Sequence, residues 1–299
     1  MTEPVRGLGA RLFVALQHLL PQHLLSALMY RLARVRWRPL KDLLIATVLR
    51  LYRIDMTEAA APNAKTYVHF NAFFTRALRP DARPLDPDAL AVVSPVDGTI
   101  SQSGRITAGR VIQAKGRDYS VEELLGGDPE RARVFDGGTF ATIYLAPSDY
   151  HRIHMPLGGD LAWMHHIPGR LFSVNNVTAD LVPRLFARNE RVACRFETDV
   201  GAMAMVLVGA IFVGGIETVW AGEVTPARDR SRGANTGTGA GSVRLERGAE
   251  MGRFNLGSTV ILLFEPGRVQ LDETLAPGCK VRLGQRLGRP AAASEHVES

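Results

Sequence analysis

Cysteine is nearly missing from this chain. Cys194 and Cys279 are the only two, they lie far apart, and they form no CxxC pair. That leaves no disulfide framework and no thiolate metal site, and it fits a reducing compartment with two plain buried thiols. Lysine is also scarce, with only Lys41, Lys65, Lys115 and Lys280. A transmembrane helix needs about 20 apolar residues in a row. The cleanest run in the N-terminal part is "LLIATVL", and no small-residue cleavage site follows the first apolar stretch, so neither a span nor a cleavable leader is expected. The 16-residue stretch "GAMAMVLVGAIFVGGI" carries no charge, but its glycines and β-branched residues favour two buried strands over a membrane helix. No internal repeat is visible.

The charge is concentrated in one place. Residues 1–56 hold nine basic and three acidic side chains, and the other 243 residues are balanced, so the +6 of the whole chain belongs to its N-terminus. A cationic segment could meet nucleic acid or an anionic membrane. The pattern separates these two. Leu24, Leu25, Leu28, Met29 and Leu32 recur at helical spacing with Arg31 and Arg34 off the stripe, and Pro21 and Pro39 stand where helices begin. Amphipathic helices lying in a membrane interface are expected, and no nucleic-acid partner. The bland alternative is a helical hairpin packed on the body with its arginines in solvent, and both can hold together.

A further short helical region, "TEAAAPNAKTYVHFNAFFTRALRP", leads to the Pro/Asp-rich "RPDARPLDPDA", which should cross the surface. Beyond it the texture is β: "FATIYLA", "VACRFET" and "TVILLFE" are β-branched, apolar and punctuated by Gly, Pro and Asp. The expected fold class is α+β. A helical membrane-associating region over residues 1–80 precedes a mainly β, sandwich- or barrel-like catalytic body over 81–299. The Gly-rich "TPARDRSRGANTGTGAGS" reads as a loop.

Three stretches could carry chemistry. Asp97 precedes Gly98 in "SPVDGTI", ordinarily a turn entering a strand. His151 and His154 stand three apart in "YHRIHMP"; on a helix they could share a metal, but no other ligand cluster accompanies them. His165 and His166 are adjacent and would point to opposite faces of a strand. Ser258 follows Gly257 in "RFNLGSTVILLFEPG", without the G-x-S-x-G frame of a nucleophile elbow. An acid, a histidine and a serine are the ingredients of an activated nucleophile, though spacing alone does not bring them together.

Taken in order, Ser94–Gly98, Tyr150–Pro156 and Phe254–Thr259 resemble phosphatidylserine decarboxylase, the bacterial membrane-bound type with an LGST motif. "FFTR" at Phe73–Arg76, "PGRLFSVN" at Pro168–Asn175 and "GGIETVWAGEV" at Gly214–Val224 extend the resemblance from about residue 20 to residue 289. It implies decarboxylation of phosphatidylserine to phosphatidylethanolamine and CO2, by a pyruvoyl group that the chain makes from Ser258. It implies self-cleavage between Gly257 and Ser258 into chains 1–257 and 258–299, which stay together as a heterodimer. By the same resemblance His154 is the base of that cleavage, Asp97 its orienter, and His151 the proton donor or orienting group of the decarboxylation. No metal is implied. The expected location is the cytoplasmic face of the inner membrane, attached peripherally.

Two other readings start from the same residues. A serine hydrolase using Asp97, His154 and Ser258 would not need Gly257, and its chain would stay whole. A lipoyl-like carrier or membrane scaffold is suggested by "GRVQLDETLAPGCKVRLGQRLG", but such a carrier needs a lysine after Asp or Met, and none of the four has that context.

Overall fold

A computed structural model describes residues 7–212, 215–226, 243–255 and 257–291. Most of the Gly-rich loop, the C-terminal tail from residue 292 and Leu256 of the LGST stretch lie outside the described residues.

The run that ends the LGST stretch becomes the middle of the body. Strand Ser258–Phe264 is buried at every residue and pairs antiparallel with Thr139–Leu145 on one side and Gly201–Val208 on the other. Its alternate residues feed two separate cores. Val260, Leu262 and Phe264 pack into one, and Ile261 and Leu263 into the other. A strand covered on both faces must be apolar at every position, which is why the run shows no alternation. The whole sheet has eight antiparallel strands in the order Arg244–Leu245, Gly159–Ile167, Arg191–Thr198, Gly201–Val208, Ser258–Phe264, Thr139–Leu145, Gly98–Arg105 and Lys280–Val281. Its two edge strands do not meet, so among the described residues the sheet is open and not a closed barrel. The uncharged stretch from Gly201 supplies one buried strand, Gly201–Val208, and of the second strand, Ile216–Thr218, only the first residue.

A second sheet of four strands runs Gly222–Glu223, Ile216–Thr218, Glu250–Phe254 and Arg152–His154. It lays the histidine stretch beside the residues that lead into Ser258. The fold class is α+β, as the sequence implies, with the three long helices at the N-terminus and only short ones between the strands of the body.

Those helices are α1 (Leu8–Leu19), α2 (Gln22–Leu32) and α3 (Arg38–Tyr52), with Pro21 just before α2 and Pro39 in the first turn of α3. Among the described residues no single helix is long and apolar enough to cross a membrane; α1 and α2 would pass only as a pair bent by 85°. They face the body with unusual residues. Gln17 is buried and accepts from the Ser173 N–H (2.8 Å), Gln22 accepts from the Leu171 N–H (2.8 Å), and the Ser26 hydroxyl accepts from the Phe212 N–H (3.2 Å). The leucines point away: Leu12, Leu16 and Leu24 are 59%, 55% and 58% exposed. The hairpin therefore does pack on the body, with Val14 in one of its cores and Arg34 paired to Glu223 beside these amides and the hydroxyl, while much of the apolar stripe that should seek a core faces outward.

The next segment is mostly turns, with one short helix, α4 (Phe70–Phe74), capped by the His69 ring accepting from the Ala72 N–H at 2.9 Å. Phe70, Phe73 and Phe74 join Ala33 and Ile45 in a small third core between α3 and α4. Residues 79–90 cross the surface as expected, except that Arg83 turns inward.

Candidate active site

Asp97 ends the approach to strand Gly98–Arg105. The next residue has to be glycine, because a Cβ at Gly98 would come within 2.6 Å of the Tyr144 carbonyl oxygen. This close contact presses the Asp97 end of the strand against the end of Thr139–Leu145. The Asp97 carboxylate accepts from Arg83 Nη2 (2.6 Å) and Nε (2.9 Å) and from the Leu283 N–H (2.8 Å). Arg83 also donates to Glu58 at 2.9 Å. Asp97 is thus the centre of an ion-pair clamp that ties the surface-crossing segment and the C-terminal segment to the body.

His154 has different partners. Its Nδ1 lies 2.8 Å from the Gly248 carbonyl oxygen, which can only accept, so Nδ1 carries the proton. Nε2 is then the free lone pair, and it faces the Tyr150 hydroxyl at 3.3 Å. Burial, the largest influence, lowers the pKa of His154; the Gly248 carbonyl and the Glu250 charge work against it, and Asp97 opposes it more weakly. The ring is neutral at pH 7 and has a base-competent nitrogen. No hydrogen bond joins Asp97 to His154; the group that orients the ring is a backbone carbonyl.

His151 is fully buried, and neither ring nitrogen makes a hydrogen bond of good geometry, although the nearby backbone of Ala146 and Pro147 favours its charged form a little. Phe74 of α4 stacks on it, with ring centroids 4.1 Å apart and planes at 21°. Burial first, and the Arg76 charge second, push its pKa down to about 3. The two histidines stand at the ends of a strand stretch and meet different neighbours, so they do not form the shared helix face that a metal pair would need. His165 and His166 diverge as a strand requires: His166 contacts Glu190 at 3.0 Å, while His165 lies against Gly126.

Ser258 opens the central strand, opposite Leu145. Its side chain is fully buried and its Oγ has no partner. Gly257 before it has φ +20°, at the edge of the left-handed region, and a Cβ there would meet nothing within 4 Å. Register shows which histidine is closer. His154 pairs with Glu250, whereas the His151 carbonyl accepts from the Phe254 N–H at 3.0 Å, four residues before Ser258. Around this point other buried polar atoms also lack partners, including Thr259 Oγ1, Asn255 Nδ2 and Asn71 Oδ1. Asn71 Nδ2 donates to Asn255 Oδ1 at 3.0 Å, which fastens α4 to the stretch that enters Ser258.

The structure sets Asp97 before strand Gly98–Arg105, His151 and His154 at the two ends of the Arg152–His154 stretch and Ser258 at the start of the central strand; Asp97 is bonded to Arg83 and the Leu283 N–H, and His154 to Tyr150 and the Gly248 carbonyl, rather than to one another. Tyr150 stands in the quoted histidine stretch and could have been weighed as a phenol next to an imidazole. The backbone groups left no signal in the sequence.

The buried neutral His151 has a consequence for stability. The unfolded chain takes up a proton near pH 6.5 that the folded ring refuses until about pH 3. A depressed histidine pKa favours the fold above pH 6.5 and costs stability as the pH falls from there. At pH 5 the expected loss from this ring is about 2 kcal/mol, and His154 adds to it in the same direction. His151→Phe keeps the stack on Phe74 and removes the proton site. Urea denaturation at pH 7.5 and pH 5 should show a smaller acid loss in the variant, and equal losses would mean that the ring is not held neutral.

Comparison with known proteins identifies the family. The family model described as phosphatidylserine decarboxylase matches residues 70–289, and a second, described as PSD, matches residues 12–53. A phosphatidylserine decarboxylase proenzyme of Pseudomonas fluorescens is 56% identical over 279 residues, covering 93% of this chain and 97% of the relative. Those of Azotobacter vinelandii and Bordetella avium are 55% and 54% identical, covering 93% and 96% of this chain and 98% and 97% of the relatives. With the first family model spanning most of the chain and relatives more than half identical along nearly all of it, the chain belongs to the phosphatidylserine decarboxylase family.

Proposed function

We propose that this protein is a carboxy-lyase that decarboxylates phosphatidylserine, and that it first cuts itself between Gly257 and Ser258 to make a pyruvoyl group. Family membership supports the decarboxylation. The observation that carries the self-cleavage is the Ser258 hydroxyl, buried without a partner directly after a glycine. A structural serine at such a depth would be hydrogen-bonded.

In the cut, Ser258 Oγ attacks the Gly257 carbonyl carbon and the amide becomes an ester. Loss of the Ser258 α-proton then breaks the Cβ–O bond and releases Gly257 as a carboxylate. The dehydroalanine left at residue 258 tautomerises and is hydrolysed, losing ammonia. Serine needs a base for the first step, because its hydroxyl is hardly ionised at neutral pH. We assign that base to His154, whose Nε2 is unprotonated and whose ring is fixed by Gly248. Asp97 serves through the Arg83 clamp and through its charge. Gly257 leaves its carbonyl unshielded.

The residues around Ser258 fit a pyruvoyl group, since Thr259 beside it presents a buried hydroxyl without a partner and His151 a buried neutral ring. That group supplies a carbonyl electron sink for loss of the carboxylate. His151 is assigned to orienting the substrate and handling the proton that replaces CO2. Its neutral state in the uncut chain follows from its burial, so its role begins once the cut has opened the site. Intact-mass analysis tests the reading directly, and the expected result is argued in the Discussion.

The substrate is a two-chain lipid, so the site must work at a bilayer. The outward leucines of α1 and α2, with Arg11, Arg31, Arg36 and Arg38 also exposed, support peripheral attachment to an anionic leaflet, which for this substrate is the cytoplasmic face of the inner membrane. Each leucine buried in the interface contributes up to about 2 kcal/mol, and each basic residue near the leaflet about 1 kcal/mol that fades with salt. The triple variant Leu12→Gln, Leu16→Gln, Leu24→Gln leaves Gln17, Gln22 and Ser26 on the body untouched. It should pellet with anionic liposomes at least tenfold less well than the parent, and high salt should weaken the parent's binding without abolishing it. Undiminished pelleting of the variant would place the anchor elsewhere.

A further inference from the structure

Arg76 follows α4 and is only 5% exposed. Its Nε and Nη1 are buried without a hydrogen-bond partner, and its nearest aromatic contact is the Phe73 ring, 5.6 Å from Cζ. A buried guanidinium without a counter-charge is expensive, and chains rarely keep one idle. The carboxylates whose charge reaches it, Asp97 and Glu58, are both committed to Arg83 at 2.6 and 2.9 Å. Neither carboxylate bonds Arg76 directly, so Nε and Nη1 are left to donate to an acceptor from outside the chain.

The side chain borders a pocket of ≈ 210 Å³. Ser148, Tyr150, Lys280 and Arg282 line the same pocket. The acids there are engaged: Asp149 accepts from the Ala146 N–H at 2.7 Å, and Asp55 from Thr57 at 2.7 Å. Tyr150 connects this pocket to His154, and the Arg76 charge is felt at His151, so the pocket adjoins the reacting end of the site.

We propose that Arg76, with Lys280 and Ser148 across the pocket, holds the phosphodiester of the glycerophospholipid substrate. This rests on the decarboxylase reading above. The choice of phosphodiester over carboxylate follows from the reaction. A guanidinium on the carboxylate would bind the ground state more strongly than the transition state, since the charge leaves that group as CO2 forms, and would slow the step. The phosphodiester keeps its charge throughout, so an anchor there strengthens binding without opposing the chemistry.

The test uses the matured full-length protein with dihexanoyl phosphatidylserine as substrate and dihexanoyl phosphatidylethanolamine, which lacks the carboxylate, as competitor. Arg76→Gln should raise KM and the inhibition constant together, each about 10- to 100-fold, the worth of a charge-assisted pair, with kcat changed far less. Arg76→Lys should fall between. A rise in KM with an unchanged inhibition constant would assign Arg76 to the carboxylate and overturn the proposal, as would no change in either. Should Arg76→Gln fail to fold, Lys280→Gln and direct calorimetric binding of dihexanoyl phosphatidylethanolamine to Arg76→Lys give the same comparison. A parent protein that binds this lipid through Arg76 but does not decarboxylate phosphatidylserine would sink the proposed activity while leaving the anchor standing.

Discussion

Purified protein is expected to run as two chains, residues 1–257 and 258–299, with the smaller one blocked at its N-terminus, while Ser258→Ala stays a single chain of 299 residues. The variant loses both the nucleophile of the cut and the atoms from which the pyruvoyl group forms. Decarboxylation should therefore drop by at least the roughly 10⁶-fold seen when a nucleophile is taken from a serine-based site. Little structural cost should accompany it. The hydroxyl has no partner to lose, and the site is fully buried among apolar residues of the central strand. Intact-mass analysis of both proteins decides the matter. An unbroken wild-type chain that still decarboxylates phosphatidylserine is incompatible with the mechanism, and an unbroken chain that hydrolyses esters would restore the serine-hydrolase reading.

The part of this site that was readable in the sequence is the part carried by motif and by apolar run. "TVILLF" announces a buried strand because both of its faces are covered, and Asp97-Gly98 announces a strand entry because only glycine clears the Tyr144 carbonyl. What stayed hidden depends on contacts between distant segments. Arg83 lies in a stretch that reads as surface, and mostly is, yet its guanidinium turns in to Asp97. The group that orients His154 is the Gly248 carbonyl, and any residue at 248 would have shown the same carbonyl in the sequence. The helices mislead in another way. A leucine stripe is normally read as the buried face, whereas here Gln17, Gln22 and Ser26 face the body with Val14, and periodicity cannot distinguish a core from a bilayer.

The two histidines should separate the two reactions. His154→Ala is expected to leave the chain uncut, because it removes an imidazole whose Nε2 the Gly248 carbonyl fixes as an acceptor. His151→Ala is expected to cut, at least in part, and then to decarboxylate about 10²- to 10⁴-fold more slowly, the usual worth of a positioned proton-transfer group. Asp97→Ala should also block the cut, but through the clamp: Arg83 keeps only Glu58, and the Leu283 N–H loses its acceptor. Arg83→Ala is then the informative companion. If Asp97 acts through the clamp, both variants mature poorly, and if it acts on His154 by charge alone, Arg83→Ala matures normally. The assay is the ratio of cut to uncut chain over time, with decarboxylation measured on whatever has matured. The geometry makes the outcome consequential, since by register His151 is the nearer of the two to Ser258. Uncut His151→Ala beside normally maturing His154→Ala would reverse the assignment and make the buried, unpartnered ring the base of the cut.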